Sequence, residues 1–396
     1  MTQPAKIPIS RRQFAKTIGA TAALAAINPR SVWTADPTAT VTPPPVSVEA
    51  AELYRKALVL DCNALAGIGF PISKEDPVGV TKLILGSGVN VVKATLGGAQ
   101  GNFQDAVAAI AKAELLMEKQ PDAFFKVRTA ADFDRAKTEG KLGVIYSFES
   151  ANMLEDSPPR VRPEADKIDR IEVFRGFGVR VMQLTYNRRT PLGCGCLDGE
   201  TDGLTDLGRN AIAKMNEIGV ALDLSHSNTK TTADGIAASK KPPLITHAGC
   251  RAVHMHPRNK EDRELKALAD KGGVIGIYML PYLTESPKQP MLDDYVQHLD
   301  HAVKICGEDH VGIGSDVPFL RVGDVDLAEM KRDMALRKSS GIAAPGEDRP
   351  TYIPDLNTER KMELIADALL KRGYKSVAVE KILGANFKRA FGDIWA

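Results

Sequence analysis

Val220-Ala221-Leu222-Asp223-Leu224-Ser225-His226 begins as a short apolar run and ends in polar residues. The pattern recurs: runs at 57–60, 89–94, 142–148, 179–185, 244–246, 274–278 and 311–314 make eight with 220–224. Helical stretches separate them. Near-continuous apolar strands alternating with helices read as parallel strands buried on both faces. An open doubly wound sheet would carry a Gly-rich phosphate loop after its first strand, and none follows residue 60. Eight repeats therefore predict an α/β fold, a closed (β/α)8 barrel over residues 51–396.

Several helices are legible. Thr205-Asp206-Leu207-Gly208-Arg209 opens one that carries Ile212, Met215 and Ile218 at helical spacing and stops at Gly219. Lys361 to Arg372 forms another, ended by Gly373, and the last starts near Val377 and passes through Ile382 and Leu383. Residues 322–354 form a long connection after the eighth strand, suited to a lid or to an oligomer contact such as a homodimer.

Net charge is +2 over 396 residues, with acids and bases interspersed. That leaves no basic footprint for nucleic acid. Beyond the first 30 residues no run approaches the apolar length of a bilayer span, so the mature chain is expected to be soluble. Five cysteines are too few for a disulfide scaffold. Cys194-Gly195-Cys196 reads either as a strained disulfide or as two thiols.

At the N-terminus, Ser10-Arg11-Arg12-Gln13-Phe14-Ala15-Lys16 precedes a weakly apolar stretch at 18–27. The order matches a twin-arginine signal over residues 1–34, which predicts a partner in the twin-arginine translocation machinery and a periplasmic location. The competing reading is an amphipathic helix with two solvated arginines. Residues 35–50, with Pro43-Pro44-Pro45, read as a stiff linker.

Chemistry in such a barrel gathers at the carboxyl ends of the strands. There stand Glu149 after the third run, His226 after the fifth, His247 in the sixth and Asp316 after the eighth. Two imidazoles and a carboxylate suit a Zn²⁺ site, which lowers the pKa of a bound water. Asp316 is placed as general base or extra ligand. Gly312 and Gly314 share its parity and are expected to leave space beneath it. Singly, each has a plainer reading: a hydrogen-bonded histidine, a helix-cap partner for Glu149, a turn residue for Asp316. Packing of a surface loop accounts for at least one of His254 and His256, and a solvated helix face for His298, His301 and His310.

The stretch from Gly203-Leu204-Thr205-Asp206-Leu207-Gly208-Arg209 to Ser225-His226 resembles the membrane (renal-type) dipeptidases, peptidase family M19. So do Thr246-His247-Ala248, His256-Pro257-Arg258-Asn259, Val311-Gly312-Ile313-Gly314-Ser315-Asp316 and Ile382-Leu383-Gly384-Ala385-Asn386-Phe387-Lys388-Arg389. The resemblance covers about residue 55 to the end. It implies a zinc-dependent dipeptidase with two metals, bridged by Glu149, the second held by His226 and His247. It also implies that Asp316 handles the proton and that Arg258 grips the substrate carboxylate, as a guanidinium fork does well.

Two positions depart from the family pattern. Its first strand ends in His-x-Asp, whereas this chain has Asp61-Cys62-Asn63-Ala64. One register puts Cys62 and Ala64 at the ligand positions, the other Asp61 and Asn63. Cys62 reads either as a soft ligand or as a buried structural thiol. The family's histidine after the fourth strand becomes Tyr186, which can donate to an oxyanion but carries no charge. One metal, at Glu149, His226 and His247, is expected. The competing functions are a barrel with one metal or none that tailors a secreted metabolite without hydrolysis, and a non-catalytic binding protein. Changing Arg11 and Arg12 together to Lys is expected to hold the protein in the cytoplasm. Fractionation that finds it exported as before would contradict the signal.

Overall fold

The computed structural model describes residues 44–64, 77–156, 163–285, 287–318, 321–323 and 327–396. The twin-arginine motif lies outside them, as does most of the expected linker. Strands β1 (Leu60–Asp61), β2 (Val91–Thr95), β3 (Phe124–Lys126), β4 (Leu142–Phe148) and β5 (Val179–Gln183) come first. Then follow β6 (Ala221–Asp223), β7 (Leu244–Ala248), β8 (Val274–Ile277) and β9 (Val311–Ile313). All pairings are parallel, and the order is β1-β2-β4-β5-β6-β7-β8-β9. The predicted eight-stranded α/β barrel is present. Phe124–Lys126 is an addition that the apolar pattern did not show, three residues pairing with β4 off the main path.

The seam between β9 and β1 is closed by the backbone and by one carboxylate. Cys62 donates to the Ile313 carbonyl at 2.9 Å and Asp316 to that of Asn63 at 2.6 Å. Asp61 accepts from the Ser315 amide at 2.8 Å and from its hydroxyl at 2.5 Å. Burial raises the Asp61 carboxyl to about 6, and the Ser315 bonds work against that rise.

Helix α1 (Val48–Lys56) starts inside the stretch read as linker, capped by Ser47. Next come α2 (Pro77–Gly86), α3 (Phe103–Lys119), α4 (Ala131–Glu139) and α5 (Glu164–Phe177). The predicted helix from Asp206 is α6 (Asp206–Ile218): Thr205 caps it, and Gly219 ends it at φ 67°. After α7 (Thr229–Ala238) and α8 (Asp262–Asp270), α9 (Leu292–Cys306) corrects one expectation. His298 faces the core, not solvent; its ring accepts from the Cys250 amide at 2.9 Å and lies 3.0 Å from the Leu283 carbonyl.

The connection after β9 contains α10 (Leu327–Ser339), and α11 (Lys361–Lys371) runs close to its predicted bounds. The tail was read as one helix but is two. Ser376–Glu380 forms α12, a wider turn spans Lys381–Ala385, and α13 covers Asn386–Trp395. The break falls at Gly384, where a Cβ would meet the Leu58 carbonyl at 2.5 Å.

Helix α13 closes the barrel at the amino ends of the strands. Asn386 donates to the carbonyl of Val311, the first residue of β9, at 2.8 Å. Phe391 is buried, with its ring 5.9 Å from Phe133 and 4.6 Å from Trp395. Above this floor the interior changes character in one step. Leu60, Val91, Ile145, Val181, Ala221 and Leu244 share an apolar cluster. Two residues on, facing the same way, stand Cys62, Lys93, Ser147, Gln183, Asp223 and Thr246. Apolar below and polar above, the barrel holds its chemistry at one end. Phe391→Ala is expected to cost about 3–5 kcal/mol of stability, read as a lower denaturation midpoint; an unchanged midpoint would show that α13 does not support the barrel.

Candidate metal centre

Glu149, His226 and His247 come together, each offering one ligand atom within 4.8 Å of the others. The His226 and His247 Nε2 atoms lie 2.9 Å apart. A Glu149 oxygen lies 3.8 Å from His247 Nε2. Three strands supply this set: Glu149 follows β4, His226 follows β6, and His247 lies in β7.

Hydrogen bonds decide which ring nitrogens face the cleft. Asn187 Oδ1 lies 2.7 Å from His226 Nδ1 and can only accept, so the proton sits on Nδ1. On the other ring, Thr246 Oγ1 lies 2.9 Å from Nδ1 and gives its own proton to Asp223 at 2.5 Å. It must therefore accept from His247. Both Nε2 lone pairs then point toward the same place. Asp223 also accepts from Gln183 at 3.0 Å, from the Ser225 amide and hydroxyl, and from the Thr246 amide. Burial, followed by the Arg258 guanidinium, holds both imidazoles well below the ordinary histidine range. They are neutral, as ligands must be.

Strand β7 needs room to carry His247. Its pairing with β8 shifts register between Ile245 and Ala248. Across from this irregularity, a Cβ on Gly276 or Gly314 would meet the Thr246 carbonyl at 2.1 or 1.9 Å. The space at Gly314 therefore serves the neighbouring backbone, and that at Gly312 receives the Phe387 ring. Neither lies empty beneath Asp316, as the shared parity suggested. Asp316 itself sits at φ 57°, outside the strand. Burial first, then the charge of Glu149, pushes its carboxyl well above the ordinary range.

Asn63 was not singled out for a role of its own, yet it ties the acids together. Its Nδ2 donates to Glu149 at 2.9 Å and to Asp316 at 2.7 Å. Neither register of the first strand brings a ligand to the three-residue cluster. Asp61 is held by Ser315, and Cys62 points into the barrel interior, where burial pushes its thiol well up. All five thiols are unpaired, and Cys196 donates to Asn187 Oδ1 at 3.2 Å.

Tyr186 stacks on His226, ring centres 4.1 Å apart. Burial raises its phenol, so it remains a donor. Arg337 of α10 lies 5.2 Å above that ring and pairs with Glu347 at 2.7 Å. Asn187 donates to the Ile342 carbonyl at 2.7 Å, and His256 lies 2.9 Å from that of Pro345. The connection after β9 is thereby fastened over the mouth; His256 and Tyr186 were marked in the sequence for other roles, and Asn187, Arg337 and Glu347 were not marked. Arg258 is buried and makes no ion pair among the described residues. Its guanidinium donates to the Ser225 carbonyl and lies 3.1 Å from His226 Nε2.

Residues 88–330 match the family described as membrane dipeptidase (peptidase family M19). The dipeptidase tcpJ of Claviceps purpurea is 25% identical over 300 residues, 74% of this chain and 60% of that protein. The dipeptidase verJ of Clonostachys rogersoniana is 27% identical over 286 residues, 70% of this chain and 62% of that one. The chain thus spans less than two thirds of the length of these curated relatives. Among solved structures, an amidohydrolase from Pseudomonas aeruginosa is 30% identical with a TM-score of 0.73, covering 87% of this chain and 99% of its own. A metallopeptidase from Rhodobacter sphaeroides, liganded with a phosphinate mimic of the dipeptide L-Ala-D-Ala, has the same fold at 21% identity. Its TM-score is 0.65 over 86% of this chain and 99% of its own. The family match takes in more than half of the residues and runs through both histidines, so this chain belongs to peptidase family M19, the membrane dipeptidases.

Proposed function

We propose that the chain is a zinc-dependent, dipeptidase-like hydrolase that cleaves the amide bond of dipeptides or similar small amides with a free carboxylate. One observation carries the reading: two neutral imidazoles turn their Nε2 lone pairs toward one point, 2.9 Å apart, beside a carboxylate. Lone pairs so placed repel unless a donor or a cation lies between them; the bonds on Nδ1 leave no ring proton to do so, and the Arg258 guanidinium meets the His226 nitrogen without reaching that of His247 in any described bond. Two nitrogens and an oxygen are a zinc donor set. Glu149, His226 and His247 would hold the ion, which when bound polarises a carbonyl and acidifies water.

The remaining steps fall to this chain's own groups. The raised Asp316 carboxyl suits a residue that takes a proton and returns it to the leaving nitrogen. The Tyr186 phenol stands on the His226 ring and would donate to the developing oxyanion. With His226 among the residues holding the ion, Arg258 would give up its contact with that ring. The guanidinium would then be free for a substrate carboxylate, in a pocket where no described acid neutralises it. The segment held by Asn187 and His256 would keep bulk water out. Under this proposal the protein acts after export, in the periplasm.

Purified protein is expected to retain zinc and to hydrolyse at least one member of a panel of L,L- and L,D-dipeptides, and His226→Ala to lose both properties. Zinc retained without hydrolysis of any dipeptide would favour a barrel that tailors another metabolite. No metal at all would favour a binding protein. Thr246→Val removes the acceptor that sets the His247 tautomer and is expected to weaken zinc binding about 10–100-fold while the fold persists. Unchanged affinity in a zinc competition titration would contradict this account of the tautomer.

A further inference from the structure

Lys93 lies in the polar layer one step below the metal centre. It shares a strand face with Val91, so its side chain enters the barrel, where it is wholly buried. Its Nζ lies 3.3 Å from Ser147 Oγ, its sole described hydrogen bond, and it makes no ion pair among the described residues. An ammonium taken out of water costs several kcal/mol unless other charges balance it. On β2 it stands between the strand that leads to Asn63 and the strand that leads to Glu149: its carbonyl accepts from the Ala64 amide at 3.2 Å, and its Nζ meets Ser147, two residues before Glu149.

Above it, the two acids are joined by one atom. Asn63 Nδ2 reaches both Glu149 and Asp316. With both acids ionised each accepts only, so the atom between them is the amide nitrogen, which has hydrogens to give and no lone pair to offer. Neighbouring carboxylates beside a bound cation are what draws in a second one. In this chain a donor already occupies that place.

We propose that Asn63 and Lys93 stand in for a second cation: the amide bridges Glu149 and Asp316, the buried ammonium balances their charge, and the site takes a single divalent ion. The inference rests on the metal reading given above. Asn63 and Lys93 are positioning residues, since they act through the two acids. The competing role for Lys93 is to balance Asp223 within the polar layer, which would leave metal stoichiometry untouched.

The test counts zinc per chain on the full protein after equilibrium dialysis against excess zinc, with melting temperature as the control for folding. Wild type and Lys93→Arg are expected to hold one equivalent. Lys93→Met is expected to tighten a second equivalent about tenfold or more. Asn63→Asp combined with Lys93→Met is expected to hold two. A folded double variant that keeps one equivalent overturns the inference. So does wild type that holds two, a count that needs no variant and leaves the metal reading standing. Wild type that holds none defeats the metal reading itself, and the inference with it.

Discussion

Asp223 accepts five hydrogen bonds in the polar layer of the barrel, and the metal centre depends on that saturation. A buried carboxylate left short of donors would cost several kcal/mol. Filled as it is, it orients every donor around it. Thr246 gives its proton to Asp223 and must accept from His247, so the tautomer of a ligand is decided one residue away from it. Asn187 does the same for His226 from the far side. It also ties that ring to the segment over the mouth, through its bond to Ile342. Ligand geometry, tautomer and lid therefore belong to one network.

The network can exist because the barrel separates its two duties. Apolar residues at the floor and α13 beneath them supply burial. The next layer up spends part of that stability on polar groups and, among them, a lysine with no ion-pair partner among the described residues. Glycines at 276 and 314 are part of the same arrangement. They let the Thr246 carbonyl press inward, and the irregularity in β7 delivers His247 to the cleft. Replacing either with alanine would push on backbone, which has no rotamer to yield.

The barrel was legible because its strands are buried on both faces and so read as apolar runs. Caps at Thr205 and Gly219 were legible for the same reason, a local rule with a local cause. Phe124–Lys126 escaped since three residues make no period. The kink at Gly384 escaped because it answers to the Leu58 carbonyl, far away in sequence. Glu149, His226, His247 and Asp316 could be found from their place at strand ends. Asn63, Asn187 and Lys93 could not, since their roles are set by partners across the barrel. For Lys93 a signal did exist: a charge inside the run at 89–94, in a strand expected to be buried on both faces. His298 failed in the opposite direction, its helix reading polar while its ring was claimed by the Cys250 amide.

Under the proposed function, hydrogen bonds on both Nδ1 atoms aim His226 and His247 through Nε2 at one ion shared with Glu149. Anomalous scattering at the zinc edge, from crystals of the protein grown with zinc, locates that ion directly. One strong peak is expected at the carboxyl ends of the strands, beside both Nε2 atoms and Glu149. A peak elsewhere, or coordination through either Nδ1, would contradict it.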